Sequence, residues 1–443
     1  MTASSKVQNG AKPHQNGNGV DCEISDQRGY RGYYYMTESA ADALPKFKYS
    51  GEDCSLIYKH ILSPLANYLV HNWTPKTIAP NTITIVALLH MVASYGLVWF
   101  YCPKLADSLT GDGEEGTNVP GFVFLFSCVT MLIYQTLDNM DGKHAVRMKA
   151  ASPLGLLFDH GCDAVNSVFG SANGVCALGL SASRDPVAVF VSVIFPMATF
   201  YVATWEEYHT GHLLLPIING PNEGLVAGAS FSLISFIWGV QYWHETSWFD
   251  RFIEPYSSKL LPSTVSSIIP DYGIRNVDLI FYICVVWLIQ EETLKIYQVA
   301  RKYGASSLKN LLPYIFLMAS STYIGAYYPE FLARNTRVCL NLVSALFSEM
   351  VIQLMLDHMS KEPYTPYRLT LIPLVVLIIM LHINLLSDTI VDEYVLTYAV
   401  VAWTYLLMKV RFIINEMCTL LRIWCFDIHT PYPMSEITTQ KLN

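Results

Sequence analysis

The sequence is organised around residues 138–163, DNMDGKHAVRMKAASPLGLLFDHGCD. Four carboxylates in this stretch form two pairs, Asp138 with Asp141 and Asp159 with Asp163. Because residues three or four positions apart share one face of a helix, each pair is expected to project from a single helix face. Two helix ends joined by a short link would then bring the four side chains together around a space for a ligand.

Small residues lie on the same helix faces as the acids. Gly142 and Ala145 follow the first pair, and Gly155 lies one turn before Asp159. Because such residues leave room at a helix surface, a ligand can approach the backbone closely there. The stretch also carries positive charge suited to phosphate, at Lys143, Arg147 and Lys149.

Four converging carboxylates repel one another unless cations neutralise them. A ligand set made only of oxygen atoms suits Mg²⁺ or Mn²⁺ rather than zinc. We therefore interpret the acids as ligands of two divalent ions, with metal-assisted attack on phosphorus as the favoured chemistry. For each acid taken alone, a solvated helix end is the alternative interpretation.

The composition indicates a polytopic membrane protein. Of the 443 residues, 52% are hydrophobic and only 14% are charged, and the mean hydropathy is +0.31. Soluble domains carry roughly 25% charged residues. The predicted fold is all-α with about ten transmembrane helices, near residues 82–101, 120–138, 155–180, 187–205, 224–243, 277–295, 310–328, 338–356, 369–387 and 394–413.

The predicted spans divide the chain into four parts. Residues 1–45 are polar, lack the apolar core of a signal peptide and predict a disordered tail. Residues 46–80 have apolar residues at helical spacing and predict an interfacial amphipathic helix, with a packed cytosolic helix as the alternative. Residues 81–415 are the predicted transmembrane domain, and residues 416–443 a cytosolic C-terminal tail.

Charges in the loops predict the orientation. Ten spans place both termini on one side, and the connections on that side hold basic residues such as Lys143, Arg147, Lys302 and Arg368. The opposite loops include the acidic GDGEEG at residues 111–116. By the positive-inside rule, the acid cluster faces the cytosol, where a soluble nucleotide can reach it.

Other features restrict the classes of function. The net charge of -8 argues against nucleic-acid binding, and the ten cysteines form no metal-binding spacing, so most are expected to be buried small hydrophobes. Glu206, Glu207 and His209 either line the ligand pocket or belong to a solvated loop. Glu349, inside a predicted span, is expected to make a hydrogen bond between helices.

The central stretch resembles the CDP-alcohol phosphotransferase motif, D-x2-D-G-x2-A-R-x8-G-x3-D-x3-D. The residues in register with it are Asp138, Asp141, Gly142, Ala145, Gly155, Asp159 and Asp163. DGKHA, SPLG and LFDHGCD are similar to the core of the eukaryotic choline/ethanolamine phosphotransferase branch, as are KYSGEDCSL, APNTIT, TWEEYHTG and NGPNEG. The resemblance covers most of residues 45–430.

The resemblance implies transfer of phosphocholine or phosphoethanolamine from CDP-choline or CDP-ethanolamine to diacylglycerol, giving a phospholipid and CMP. The four aspartates would hold two Mg²⁺ or Mn²⁺ ions. The implied contacts with the donor are Asn81, Gly142, Lys143, Ala145, Arg147 and Gly155. The lipid hydroxyl, arriving from the bilayer, would attack the β-phosphorus while CMP leaves.

A base must accept the proton of that hydroxyl, and two residues qualify. His160 is favoured, since an ordinary imidazole pKa near 6.5 suits proton transfer at neutral pH. Asp163 is the alternative, although a carboxylate bound to a metal is a weak base. Glu223 could orient His160.

Two positions depart from the family pattern. Val146 stands where the motif has arginine, and Leu156 where the branch usually has glutamate. Arg147 is one residue further on, which is about 100° around a helix. A second hypothesis is therefore a catalytically inactive relative that acts as a membrane partner or regulator. A metal transporter is less favoured, because acids and histidines do not recur along the spans.

The expected location is the endoplasmic reticulum or Golgi membrane. A homodimer is compatible with the sequence, which does not distinguish the two head groups.

Overall fold

The computed structural model describes residues 35–105, 119–181, 184–255 and 273–433. Most of the predicted N-terminal tail and the end of the C-terminal tail therefore lie outside the described residues, as does the acidic loop at 111–116. Within the predicted tail, Glu38–Ala43 forms a short helix, α1, in which Ala40 and Ala41 are buried. Residues 38–43 of the segment predicted as a disordered tail are therefore helical, and the domain boundary at residue 45 stays a prediction.

The described residues form a helical bundle. Helices α2 to α7 are Ser63–Asn72, Pro80–Tyr101, Gly121–Met148, Pro153–Ala177, Pro186–Thr210 and Leu225–Trp238. Helices α8 to α13 are Ser247–Phe252, Asn276–Tyr303, Leu312–Tyr327, Pro329–Ser360, Ile372–Ile383 and Asp388–Leu421. Single π-helical turns, Tyr58–Leu62 and Gly220–Gly224, precede α2 and α7.

Each of the ten predicted spans coincides with one of these helices, from α3 to α7 and from α9 to α13. Five are long and apolar enough to cross a membrane among the described residues: α3, α4, α6, α11 and α13. An all-α membrane protein is therefore the correct class, while the number of ten spans stays a prediction. The C-terminal helix continues to Leu421, six residues beyond the predicted end of the domain at 415.

Proline determines where several helices begin. Pro80, Pro153, Pro186 and Pro329 stand in the first turn of α3, α5, α6 and α11. Proline is favoured there because its missing N–H has no partner within the helix in any case.

The central helix of the bundle is α11. In the most apolar stretch of 18 residues in α11, 72% of the residues are buried, whereas the corresponding stretch of α13 has 33% buried. Helix α11 is therefore surrounded by other helices, and α13 lies further out. It packs on α5, α6, α10 and α13. The helices around the acid-rich stretch form a neighbouring group, in which α4 packs on α2, α3 and α7.

Two short parallel strands were not predicted. β1, Gly51–Asp53, pairs with β2, Leu213–Leu215, in the register Gly51 to Leu213. Because the partners are far apart in sequence, neither three-residue segment shows a strand pattern of its own. The pair connects the segment before α2 to the segment after α6.

The predicted interfacial helix corresponds to α2 and the π-helical turn before it. Ala66 and Val70 are buried, and α2 packs on α4. Its outer face carries exposed Leu65 and Tyr68. Contact with a membrane surface stays a prediction for this helix.

Candidate active site

The α4–α5 hairpin positions the four acids. α4 ends after Met148 with Lys149 in the left-handed region (φ 56°). Ser152 then caps α5, its hydroxyl accepting a hydrogen bond from the Gly155 N–H at 3.2 Å. The short link turns the chain back, so that the C-terminal half of α4 faces the N-terminal half of α5. The predicted pairs of acids are therefore brought together.

Three of the aspartates form a compact group. Carboxylate oxygens of Asp138, Asp159 and Asp163 all lie within 4.8 Å of one another. Asp141 lines the same cavity and accepts a hydrogen bond from the Thr84 hydroxyl of α3. Helices α4 and α5 therefore supply the four acids, and α3 supplies a hydroxyl that orients one of them.

Some carboxylate oxygens of the four aspartates accept hydrogen bonds, and others have no donor in the part of the chain that the structure describes. The Tyr134 hydroxyl of α4 donates to Asp163 on α5. The Oδ1 atom of Asp159 is buried and has no hydrogen-bond partner among the described residues. Because a buried carboxylate oxygen without a partner is costly, and because the donor set is oxygen only, these residues fit a hard divalent cation.

The acids form one wall of a cavity of about 720 Å³. Gly142, Ala145 and Gly155 also line it. A Cβ at Gly142 would meet nothing within 4 Å, so this position opens onto free space, whereas one at Gly155 would lie 3.4 Å from Asn81 Oδ1. Gly142 therefore leaves open space beside the cavity, whereas a side chain at Gly155 would contact Asn81. The role of these small residues in binding a ligand stays a prediction.

His160 lies on the cavity wall beside a second acid. Its Nδ1 atom is 3.1 Å from the Leu156 carbonyl oxygen, and its Nε2 atom is 4.0 Å from Glu207 Oε2 on α6. Glu207 Oε1 lies 3.7 Å from His358 Nε2 on α11. The Glu207 side chain, 1% exposed, therefore lies between two imidazoles.

Glu223, which was predicted to orient His160, contacts other residues in the structure. Its carboxylate accepts hydrogen bonds from the Ser55 hydroxyl at 2.6 Å and from the Asn219 N–H at 3.0 Å. It thus joins the segment after β1 to the π-helical turn before α7. In the described structure, two acids lie near His160: Glu207 at its Nε2 atom, and Asp159, whose Oδ2 atom is 3.8 Å from Nδ1. Sequence reasoning left Glu207 undecided between the pocket and a loop.

The two cations predicted to contact the donor, Lys143 and Arg147, make hydrogen bonds with other segments of the protein. Lys143 Nζ donates to the Tyr58 hydroxyl at 3.1 Å. Arg147 donates to the carbonyl oxygens of Val70 and Thr74 at the C-terminal end of α2. These two cations are not among the described residues that line the cavity.

Asn81 lines the cavity and contacts the C-terminal segment. Its Nδ2 atom donates to the Cys425 carbonyl oxygen at 3.0 Å. The segment after α13, predicted as a cytosolic tail, therefore packs against the start of α3.

Other cations line the cavity. Lys48, before β1, and Lys295, on α9, are both in its wall. Lys295 Nζ lies 3.1 Å from Glu291 and 3.9 Å from Glu206. Val146, at the motif arginine position, lines the cavity and is 71% exposed, so it lies at an edge of the cavity that is open to the surroundings. Because valine is apolar, this edge lacks the charge that the motif arginine would supply.

Residues of the two strands also line the cavity. Asp53 of β1 lines it and accepts hydrogen bonds from Asn222 Nδ2 at 2.6 Å and Asn219 Nδ2 at 3.3 Å. The family-like segments KYSGEDCSL and NGPNEG therefore meet at this wall. That shared similarity was the signal in the sequence that could have placed Asp53 here.

No protein-family model matches the chain. The chain is 31% identical over 418 residues to uncharacterized CDP-alcohol phosphatidyltransferase class-I family protein 3 of Dictyostelium discoideum, an alignment that covers 89% of this chain and 98% of that protein. It is 29% identical over 409 residues to choline/ethanolaminephosphotransferase 2 of Arabidopsis thaliana, with 89% and 98% covered. It is 23% identical over 404 residues to human ethanolaminephosphotransferase 1, with 90% and 96% covered. The similarity thus extends far beyond the acid-rich stretch.

Proposed function

The chain belongs to the CDP-alcohol phosphatidyltransferase class-I family, and we propose that it transfers phosphocholine or phosphoethanolamine from the CDP derivative to diacylglycerol, releasing CMP. The names of the plant and human relatives support this reaction. The observation that carries the proposal is the compact group of Asp138, Asp159 and Asp163 on the wall of a large cavity.

Two divalent ions, Mg²⁺ or Mn²⁺, would be held by these three aspartates together with Asp141. When bound, they would neutralise charge on the pyrophosphate and on the leaving CMP. Tyr134 and Thr84 would orient Asp163 and Asp141 through the hydrogen bonds described above.

The donor would lie along the α4–α5 hairpin. Gly142, Ala145 and Gly155 leave the space it needs, and Asn81 borders that space. Lys295 and Lys48 are the cations available to its phosphates from the cavity wall. Lys143 and Arg147 would act indirectly, by holding Tyr58 and α2 against α4.

The acceptor hydroxyl would attack the β-phosphorus and lose its proton to His160, the favoured base. Glu207 would hold the imidazole in position and stabilise the imidazolium that forms, since its carboxylate lies 4.0 Å from Nε2. Asp163 is the alternative base, in contact with the Tyr134 hydroxyl. The new bond joins the lipid oxygen to phosphorus, and the bond to the CMP oxygen breaks.

The transmembrane domain, residues 81–415, would present this cavity to the cytosol, in the endoplasmic reticulum or Golgi membrane. The basic residues near the cavity end of the helices support that orientation. A homodimer is compatible with this arrangement.

One observation favours the second hypothesis, an inactive relative that acts as a membrane partner or regulator. Val146 leaves the open edge of the cavity without the motif cation, and Arg147 is engaged with α2. An inactive relative would not transfer the head group even if it bound metal.

The test is transfer from radiolabelled CDP-choline and CDP-ethanolamine to diacylglycerol by the purified full chain in lipid. Parallel reactions contain Mg²⁺, Mn²⁺ or EDTA. The Asp163→Asn variant removes a proposed ligand, and Asp388→Asn is the matched control, because its side chain is 76% exposed and pairs with Arg334 at 3.3 Å instead.

We expect metal-dependent phospholipid with the wild type and with Asp388→Asn, and none with Asp163→Asn. The faster donor identifies the head group. Donor binding without product would point to another acceptor alcohol. Absence of both product and donor binding would refute the enzyme and support the inactive relative.

A further inference from the structure

Among the described residues that line the cavity, two carboxylates are not proposed metal ligands, Asp53 on β1 and Glu291 on α9. Asp53 is already bound by its neighbours. Its carboxylate accepts hydrogen bonds from the Ser55 N–H at 2.8 Å and from the side-chain amides of Asn219 and Asn222. Glu291 is therefore the acid of the cavity wall that is available to a ligand with positive charge.

The charges around Glu291 favour such a ligand. Glu291 Oε1 lies 3.1 Å from Lys295 Nζ, one helical turn further along α9. The same ammonium group lies 3.9 Å from Glu206 Oε2 on α6. Each of the three side chains is at most 13% exposed, so water and salt screen them weakly. Two carboxylates share one cation, and the group therefore carries one more negative than positive charge.

Glu291 is level with the reaction centre along the bundle. Two ring contacts show that α9 lies parallel to α6, Phe195 with Trp287 at 6.5 Å and His209 with Tyr303 at 5.7 Å. From the first contact, Glu291 is about 6 Å and Phe200 about 7.5 Å further along their helices. Phe200 lines the cavity, and its ring centre is 5.9 Å from that of His160. Glu291 thus borders the part of the cavity beside the favoured base.

The donor carries a cation close to the phosphorus that is attacked. In either CDP derivative, one oxygen and two carbons join the β-phosphorus to the ammonium nitrogen. The phosphorylated head group is therefore a zwitterion, with its positive charge next to its negative charge. The ion pair of Lys295 and Glu291 offers the opposite charges side by side in the cavity wall.

We propose that Glu291 binds the ammonium group of the donor head group, next to the contact of Lys295 with its phosphate. The inference rests on the proposed function, which makes a CDP derivative of an amino alcohol the ligand. A primary ammonium donates charge-assisted hydrogen bonds to a carboxylate. A trimethylammonium donates none and relies on its charge and on aromatic rings, such as that of Phe200. Glu291 therefore contributes more to the binding of CDP-ethanolamine than to that of CDP-choline.

The experiment compares two ligands that differ in the head-group cation alone. The propyl ester of CDP has the phosphates and the chain length of CDP-ethanolamine, with a methyl group in place of the ammonium. Dissociation constants of both compounds and of CDP-choline are measured with Mg²⁺ for the purified full chain in lipid that lacks diacylglycerol. We expect the wild type to bind CDP-ethanolamine about tenfold more tightly than the propyl ester. This comparison needs no variant, so it does not depend on the folding of one.

Variants then assign the preference to Glu291. In Glu291→Gln the tenfold preference should disappear, and CDP-choline should bind about threefold more weakly. Glu292→Gln is the matched control, because the next residue of α9 is an acid that is not among the described residues lining the cavity. It should keep the preference. Lys295→Met should weaken the binding of all three ligands by a similar factor, since all three carry the same phosphates.

The outcomes separate the inference from the proposed function. Equal binding of CDP-ethanolamine and the propyl ester by the wild type, or an unchanged preference in Glu291→Gln, would overturn the inference. Transferase activity alongside either result would leave the function standing. The expected preference without any transfer would refute the function and support the inference. No binding of any of the three ligands would refute both.

Discussion

His160 Nε2 of α5 lies 4.0 Å from Glu207 Oε2 of α6. Two helices that are adjacent in the chain thus bring an imidazole and a buried carboxylate together at the edge of the cavity. The same carboxylate lies 3.7 Å from His358 on α11, so three helices converge on Glu207.

The first prediction concerns this contact. Glu207→Gln keeps the shape of the side chain and removes the charge that would stabilise a protonated His160. We expect kcat to fall by about 10²-fold with little change in the KM of the CDP donor, since the loss affects proton transfer. Steady-state kinetics with each substrate varied gives both constants.

Glu223→Gln is the comparison for that prediction. Its partners are Ser55 and Asn219, so we expect a loss of thermal stability without a selective fall in kcat. A larger effect on kcat in Glu223→Gln than in Glu207→Gln would favour the original prediction that Glu223 orients His160.

The second prediction concerns the motif arginine. Val146→Arg places a guanidinium at the open edge of the cavity, where the side chain is 71% exposed and has room. A charge-assisted contact with phosphate is expected to lower the KM of the donor about tenfold, which corresponds to about 1.4 kcal/mol. Val146→Gln is the control, of intermediate length and without charge. An unchanged KM in Val146→Arg would show that the donor phosphates do not reach this edge.

The third prediction concerns Arg147. Its guanidinium donates to the Val70 and Thr74 carbonyl oxygens, which lie at the end of α2 where helix carbonyls lack partners of their own. Arg147→Met should therefore cost about 1–3 kcal/mol of stability while leaving the KM of the donor unchanged. Thermal unfolding and kinetics are measured together, with Lys59→Met as an exposed control. A raised KM at unchanged stability would place Arg147 at the donor phosphates instead.

The fourth prediction concerns Tyr134. Its hydroxyl donates to Asp163, and Tyr134→Phe removes only that hydrogen bond. We expect the concentration of Mg²⁺ needed for half-maximal activity to rise by about 10- to 100-fold, because residues that orient metal ligands typically have effects of this size. In the control Tyr394→Phe, the lost partner is the Pro373 carbonyl oxygen. Neither residue is among the described residues that line the cavity, so the Mg²⁺ requirement should not change. Equal Mg²⁺ requirements in the two variants would contradict the role given to Tyr134.

Much of the site follows from local sequence. Asp138 and Asp141, like Asp159 and Asp163, share a helix face because of the periodicity of the α-helix alone. Ser152 and Pro153 begin α5 by capping and by the fixed φ of proline, which gives the short hairpin. The apolar runs are long enough to predict membrane helices for the same local reason.

Contacts between distant segments followed from packing instead. Arg147 is turned toward α2 because α2 packs on α4 and offers carbonyl oxygens that need donors. β1 and β2 pair although neither is recognisable alone, because their hydrogen bonds join residues far apart in the chain.

The sequence by itself thus determined the helical membrane class, the hairpin and its acids, since each depends on residues within a few turns of one another. Only the tertiary structure decided that Glu207 rather than Glu223 lies beside His160, and that Lys48 and Lys295 are the cations in the cavity wall. The physical reason is that these neighbours come from helices and loops whose relative positions depend on how the whole bundle packs.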